Sequence, residues 1–240
     1  MSLEENLKNI KKFLINRYKN NLAAILIFGS ANTKHFTEGK SDIDHVILLK
    51  KQNNLDSEKE SKFLFKKLKS ENFATQYLFT LQGILNHIYK NNRIGWSTYI
   101  TLASDDGSKI LYSTPEFEDF KEKLRKNLPT KEKINRYLKE KDEFELEGYF
   151  KEIKGYNLTK SIMAHLRRKL QIMNYFKTGK LIFDYEKCQK SINLIQGERK
   201  KLKDLYGTYE RKEKLPKKEI DYYRELATRF TGRIIKDQPK

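Results

Sequence analysis

The stretch from Ala24 to Leu49 constrains the fold more than any other part of this chain. Ala24 to Phe28 is a short apolar run stopped by Gly29 and Ser30, the pattern of a buried strand that ends at a turn. After eleven mostly polar residues, Asp42 and Asp44 open a second run made of Ile43, Val46, Ile47, Leu48 and Leu49. Side chains alternate along a strand, so the two carboxylates share one face while Ile43 turns into the core. Two acids side by side in an apolar strand repel each other and lose hydration unless a cation or a proton neutralises them. A divalent metal is the simplest such cation.

Gly29 and Ser30 supply what such a metal site needs opposite it. Glycine lets the backbone approach a phosphate closely, and a serine hydroxyl with free N–H groups beside it can hold phosphate oxygens. The pattern suggests a triphosphate held between a Gly-Ser turn and Mg²⁺ on two aspartates. From these residues alone a plainer reading stays open, in which Asp42 and Asp44 only cap or solubilise the entrance of a strand.

These residues resemble the signature of the polymerase-β nucleotidyltransferase superfamily: a hydrophobic strand, Gly-Ser, a spacer of about ten residues, and Asp-hydrophobic-Asp on the next strand. Here the elements are Phe28-Gly29-Ser30, the spacer Ala31 to Ser41, and Asp42-Ile43-Asp44, within a resemblance covering residues 5 to 115. The resemblance implies transfer of a nucleoside monophosphate from an NTP, ATP first, to an acceptor hydroxyl, with release of pyrophosphate assisted by Mg²⁺. It casts Asp42 and Asp44 as catalytic metal ligands, and Gly29 and Ser30 as nucleotide-binding residues. The superfamily usually carries a third acid on the following strand, which binds metal and acts as general base. The run Phe73 to Leu81 offers Thr75, Gln76 and Tyr77 instead; the nearest acids are Glu71, just before it, and Asp105 and Asp106 in a later turn. This departure leaves an alternative: a catalytically degenerate nucleotidyltransferase-fold module that binds RNA or a protein partner.

The rest of the chain is placed around this centre. Leu3, Leu7, Ile10, Leu14 and Tyr18 repeat at helical spacing. Ser57 to Lys69 reads as a helix with Ser57 and Glu60 in capping-box relation, and Gln82 to Lys90 as a short helix. Trp96 to Leu102 and Lys109 to Tyr112 flank Asp106-Gly107 as the arms of a hairpin. Lys34, His35 and Lys40 lie in the spacer, where a surface role outweighs one at the triphosphate.

Beyond the basic helix Phe117 to Leu128, strand-like alternation disappears, and the expected domains are 1–128 and 129–240. Leu158 to Phe176 is the clearest helix, ended by Gly179; others follow Asp184, span Glu198 to Tyr206 and run from Pro216 to Phe230. Arg229 to Lys240 reads as a loosely ordered tail, and His165 as a packed or surface residue whose basic neighbours Arg167, Arg168 and Lys169 span too many faces for one site. The fold class expected is α+β: a mixed-sheet domain followed by an all-helical bundle like those of antibiotic nucleotidyltransferases and of partners of HEPN-type toxins.

At 240 residues, with 14 Tyr, 14 Phe and 38% apolar residues, the chain affords a sizeable core despite being 34% charged. Its net charge of +18 favours polyanionic partners, although high lysine content as such also raises it. One cysteine excludes an intrachain disulfide and a cysteine metal cluster, and fits a reducing cytoplasm. No run is long and apolar enough for a signal peptide or a membrane helix. The acceptor, whether small molecule, RNA or protein, is not encoded in any motif.

Overall fold

The computed structural model describes residues 2–32, 43–52, 56–68, 73–74, 78–89 and 94–236. It forms two compact units, one of residues 1–90 and 101–128, the other of 91–100 and 129–240.

In the first unit α1 (Leu3–Tyr18) starts at a capping box: the Ser2 hydroxyl accepts from the Glu5 N–H at 3.3 Å, and the Glu5 carboxylate accepts from the Ser2 N–H at 3.0 Å. Two backbone donors that the first turn would leave orphaned are thereby satisfied. Leu7, Ile10, Leu14 and Tyr18 form its buried stripe and share a core with Leu22, Ile25 and Ile27 of β1 (Leu22–Phe28). Each such side chain contributes roughly 1.5–3 kcal/mol when fully buried.

β1 is flanked by two antiparallel neighbours, β2 (Ile43–Leu49) and β5 (Lys109–Ser113). Along the outer edge of β2 run two short parallel segments, β3 (Phe73–Ala74) and then β4 (Leu78–Thr80), so the sheet is mixed. The expected strand Phe73 to Leu81 is thus two pieces. Thr75, Gln76 and Tyr77 lie outside the described residues, and Leu81 already begins α3 (Leu81–Ile88), because the Thr80 hydroxyl accepts from the Gly83 N–H at 2.9 Å and caps a helix there. Residues 22–27 of β1 are all buried, which is why this strand reads as a continuous apolar run and not as an alternation.

α2 (Ser57–Leu68) places Leu64 and Leu68 in the same core. Asp56 caps it: the Asp56 carboxylate accepts from the N–H groups of Glu58 and Lys59, both at 3.1 Å, and the Ser57 side chain lies outside the described set. Glu60 is drawn away from any capping box by Arg17 and Tyr18. It takes a bidentate pair from the Arg17 guanidinium and a 2.6 Å hydrogen bond from the Tyr18 hydroxyl, and the Arg17 contacts hold its carboxyl below the usual range. This pairing locks α1 to α2.

Trp96 to Leu102 corrects the hairpin reading. It belongs to a helix, α4 (Trp96–Ala103), and β5 pairs with β1. β-prone residues fill it, yet Trp96, Tyr99, Ile100 and Ala103 recur at helical spacing and are all buried; burial of that face overrides propensity. Residues 91–100 belong with the second unit, where the Trp96 indole N–H donates to the Gln171 side chain at 3.2 Å. α5 (Pro115–Lys126) starts with proline in its first turn and packs on β1.

The second unit is all helical: α6 (Lys131–Asp142), a π-helical segment (Glu143–Tyr149), α7 (Phe150–Glu152), α8 (Gly155–Thr178), α9 (Tyr185–Ser191), α10 (Gln196–Glu210) and α11 (Lys217–Lys236). α8 is its axis, packing Leu158, Ile162, Leu166 and Leu170 against Cys188, Leu202, Leu205, Leu226 and Phe230. It ends at Gly179, whose φ of 70° is the left-handed conformation glycine adopts without strain. The tail is more ordered than expected. α11 continues to Lys236 because Phe230 and Ile234 are buried and Arg233 forms a bidentate pair, 2.7 and 2.8 Å, with the buried Glu198. Residues 237–240 lie outside the described set. No helix among the described residues is long and apolar enough to cross a membrane.

His165 is packed, but its basic neighbours do meet. Asp142 and Glu145 face α8, with His165 between them: its Nε2 lies 2.9 Å from Asp142 and its Nδ1 2.5 Å from Glu145. Arg168 also pairs with Glu145, and Lys169, 1% exposed, reaches Asp142 at 2.6 Å and the Thr231 hydroxyl. Arg167 turns away and lies over the Phe183 ring. Three of the four basic positions converge because His165, Arg168 and Lys169 stand at i, i+3 and i+4 on one face of α8, with Arg167 at i+2 off it; the acids they meet come from outside α8, which spacing within α8 does not reveal.

Candidate active site

β1 ends at Phe28, and the chain enters a 3₁₀ turn, Gly29–Asn32, beside the start of β2. The register sets Phe28 opposite Asp44 and Ile27 opposite His45. Gly29 has φ of 65°, and a Cβ built on it would lie 2.2 Å from Oδ2 of Asp44 and 3.1 Å from its Cγ. Only glycine satisfies both demands: it adopts the left-handed conformation without steric cost, and it leaves the volume that the Asp44 carboxylate occupies. The glycine at this turn thus seats an acid from the next strand against the turn backbone.

Strand alternation separates the two faces of β2 here. Ile43 and His45 are buried, while Asp44 between them is half-buried at the strand mouth. The His45 Nδ1 lies 3.1 Å from the Ile43 carbonyl oxygen, so the ring donates there. Burial pushes its imidazole down to about 4, the carbonyl contact opposing the shift only in part, and the residue under the site is neutral near pH 7. On its other side Asp44 stands beside Ala74 of β3.

The structure therefore brings Gly29 and Asp44 together and puts Ser30 next in the same turn. Asp42 lies outside the described residues, as do Lys34, His35, Lys40 and Glu71. Asp105 is engaged elsewhere: the Arg125 guanidinium pairs with it, with the Lys121 ammonium 3.7 Å away, and Arg125 holds its carboxyl below the usual range. Among the described residues no group of three or more His, Cys, Asp or Glu is disposed to hold a metal ion. Asp44 itself is a hard oxygen donor of the kind Mg²⁺ takes, half-buried at the end of a strand.

A left-handed Gly-Ser turn facing an acid on the adjacent antiparallel strand is the arrangement that the superfamily signature encodes. A family model described as "Nucleotidyltransferase domain" matches residues 7–182, and the chain belongs to that family, within the polymerase-β superfamily. No curated protein matches. Among solved structures, the spectinomycin adenyltransferase AAD(9) from Enterococcus faecialis, crystallised with ATP and spectinomycin, is similar over 95% of this chain and 99% of that one. The TM-score is 0.56 and the identity 17%, so the likeness is one of fold. It extends from the mixed sheet through the helical unit, in keeping with the α+β class expected.

Proposed function

We propose that this protein transfers a nucleoside monophosphate from an NTP, with ATP as the first candidate, to a hydroxyl of an acceptor, releasing pyrophosphate. The observation that carries the reading is the contact between Gly29 and the Asp44 carboxylate, together with membership of the nucleotidyltransferase family. The similar fold crystallised with ATP and spectinomycin makes a nucleotide with a small hydroxyl-bearing acceptor the first pair to try.

In this reading the backbone N–H groups of the Gly29–Ser30 turn, with the Ser30 hydroxyl, bind triphosphate oxygens, and glycine lets them come close. Asp42 and Asp44 would hold Mg²⁺, which when bound supplies neutralisation of the charge on the attacking and leaving oxygens. His45, buried and neutral, keeps the inner face of the strand uncharged, so the charge of the site sits on the Asp44 side. The chain has no carboxylate at 75–77, so binding of nucleotide and removal of the acceptor proton are separable properties.

The test is calorimetric titration of each NTP with and without Mg²⁺, beside an assay of pyrophosphate release with candidate acceptors. Mg²⁺-dependent binding is expected, weakened by a hundredfold or so in Asp44→Asn while circular dichroism stays unchanged; charge-assisted contacts are the strong ones. Binding without turnover for any acceptor would point to the degenerate module. No binding of any NTP, or unchanged binding by Asp44→Asn, would sink the assignment.

A further inference from the structure

The corner of the helical unit where α8 begins and α10 ends combines stacked rings with lysines. Tyr156 of α8 and Tyr209 of α10 stack at 6.1 Å between centroids with planes 25° apart, and both are only half-buried, so part of the ring surface meets solvent. Tyr206 extends the array, 6.3 Å from Tyr209. Lys154 precedes Tyr156 and Lys160 lies one helical turn beyond it, both exposed. The loop after α10 is pinned to the same place: the Thr159 hydroxyl accepts from the Leu215 N–H at 3.1 Å and donates to the Glu213 carbonyl at 3.0 Å. That anchorage fixes the backbone of the loop that carries Lys212 and Lys214, both exposed, just after Tyr209.

The four lysines enter no ion pair with a described residue, in a chain whose net charge is +18. The acids nearby are Glu152, Glu210 and Glu213, with Glu186 and Asp184 on the far side by Tyr206, and Glu213 is taken by Arg211 at 2.9 Å. Lys212 is also conformationally costly. It closes α10 with its N–H donating to the Tyr209 carbonyl and the Glu213 N–H donating to that of Thr208, at φ of 57°, in the left-handed position that glycine usually fills. A lysine held there against its backbone preference points to use of its charge.

We propose that this corner binds single-stranded nucleic acid, with bases stacking on the solvent-facing ring surface of the Tyr156–Tyr209 pair and phosphates held by Lys154, Lys160, Lys212 and Lys214. Sequence-tolerant single-strand sites are built in this way, from aromatic platforms bordered by cations. A duplex hides its base faces and offers the rings nothing to stack on. The proposal is independent of the nucleotide-transfer reading.

The experiment is fluorescence anisotropy of the full chain with a labelled oligouridylate of about 15 nucleotides, beside a duplex of equal length. Four phosphate contacts to a single strand give a log–log salt slope of about −2.8, or roughly fiftyfold weaker binding at 200 mM than at 50 mM salt. Tyr156→Ala with Tyr209→Ala should weaken binding about tenfold or more, whereas Tyr156→Phe, which keeps the ring, should bind like the parent. Lys212→Gly should melt no lower than the parent, since glycine relieves the left-handed strain, yet bind about threefold more weakly through loss of one phosphate contact. Absence of saturable binding at 50 mM salt would overturn the proposal. So would a duplex bound as tightly as the single strand, or binding indifferent to the tyrosine and lysine changes. None of these outcomes bears on NTP binding at Gly29 and Asp44.

Discussion

Two acidic sites in this molecule have opposite surroundings. Asp142 and Glu145 are enclosed by groups the chain itself supplies, the His165 ring and the charges of Arg168 and Lys169. Asp44 is seated against the backbone of Gly29, half-buried at a strand mouth. The first arrangement holds helices together, since its carboxylates find their partners inside the protein. The second holds an acid against a turn backbone, in the space that a glycine leaves open. Loss of a partner should therefore tell on stability at the first site, and displacement of the carboxylate on the proposed nucleotide binding at the second.

The largest expected effect tests the enclosed site. Glu145→Ala leaves His165 and Arg168 facing each other without their shared acid, and removing one member of a buried ionic network costs about 3–5 kcal/mol. Denaturant unfolding should show that loss, while Mg²⁺-dependent NTP affinity in the surviving folded protein stays within twofold of the parent. A stability loss below about 1 kcal/mol would show that the network is only a surface set of ion pairs.

Gly29→Ala is next and inverts the pattern. The added methyl meets Oδ2 of Asp44 at 2.2 Å in a left-handed backbone, so the carboxylate must move. Stability should fall by about 1–2 kcal/mol, the cost of a left-handed non-glycine residue, whereas nucleotide binding should fall by far more than that stability change implies, because the acid is displaced from the turn. Unimpaired NTP binding by a folded Gly29→Ala variant would separate the Gly29–Asp44 contact from nucleotide recognition.

What the sequence discloses about these two sites differs for a physical reason. β1, β2 and the turn between Phe28 and Ser30 are specified locally, by an apolar run, a glycine and strand parity, so the strand-end elements can be read from consecutive residues. That the Asp44 carboxylate fills the missing Cβ volume of Gly29 depends on register and emerges only in three dimensions. The Asp142–Glu145 network joins residues twenty or more apart in sequence; spacing within α8 puts His165, Arg168 and Lys169 on one face, at i, i+3 and i+4, but nothing in it names the acids that face them. In α4 composition and period disagree: Trp, Tyr, Thr and Ile favour strands, but the period of Trp96, Tyr99, Ile100 and Ala103 is helical. The extension of α11 past Phe230 likewise rests on a long-range pair, Arg233 with Glu198.

The smallest effect separates the two units by pH. His45 titrates at about 4 when folded and near its ordinary 6.5 when unfolded. Above pH 6.5 neither state binds the proton; below it the unfolded chain does and the folded strand refuses it, so stability falls as pH drops from 6.5 toward 4. At Glu145, burial alone would raise the carboxyl, but the His165 hydrogen bond and the Arg168 charge outweigh it and hold the group at about 2. There the unfolded chain takes up a proton only below its ordinary 4.5, so the helical unit keeps this contribution until pH 4.5 and loses it toward 2. One pH unit below 6.5, the His45 contribution is at most about 1.4 kcal/mol. Hydrogen exchange should therefore register the loss first in amides of β1 and β2, while those of α8 hold until the lower window. His45→Leu, which cannot titrate, should flatten the upper limb in the sheet amides and leave the lower one in place. If the sheet amides of that variant still weaken between pH 6.5 and 4.5, His45 is not the group responsible, and the sensitivity of the strand beneath the site has another source.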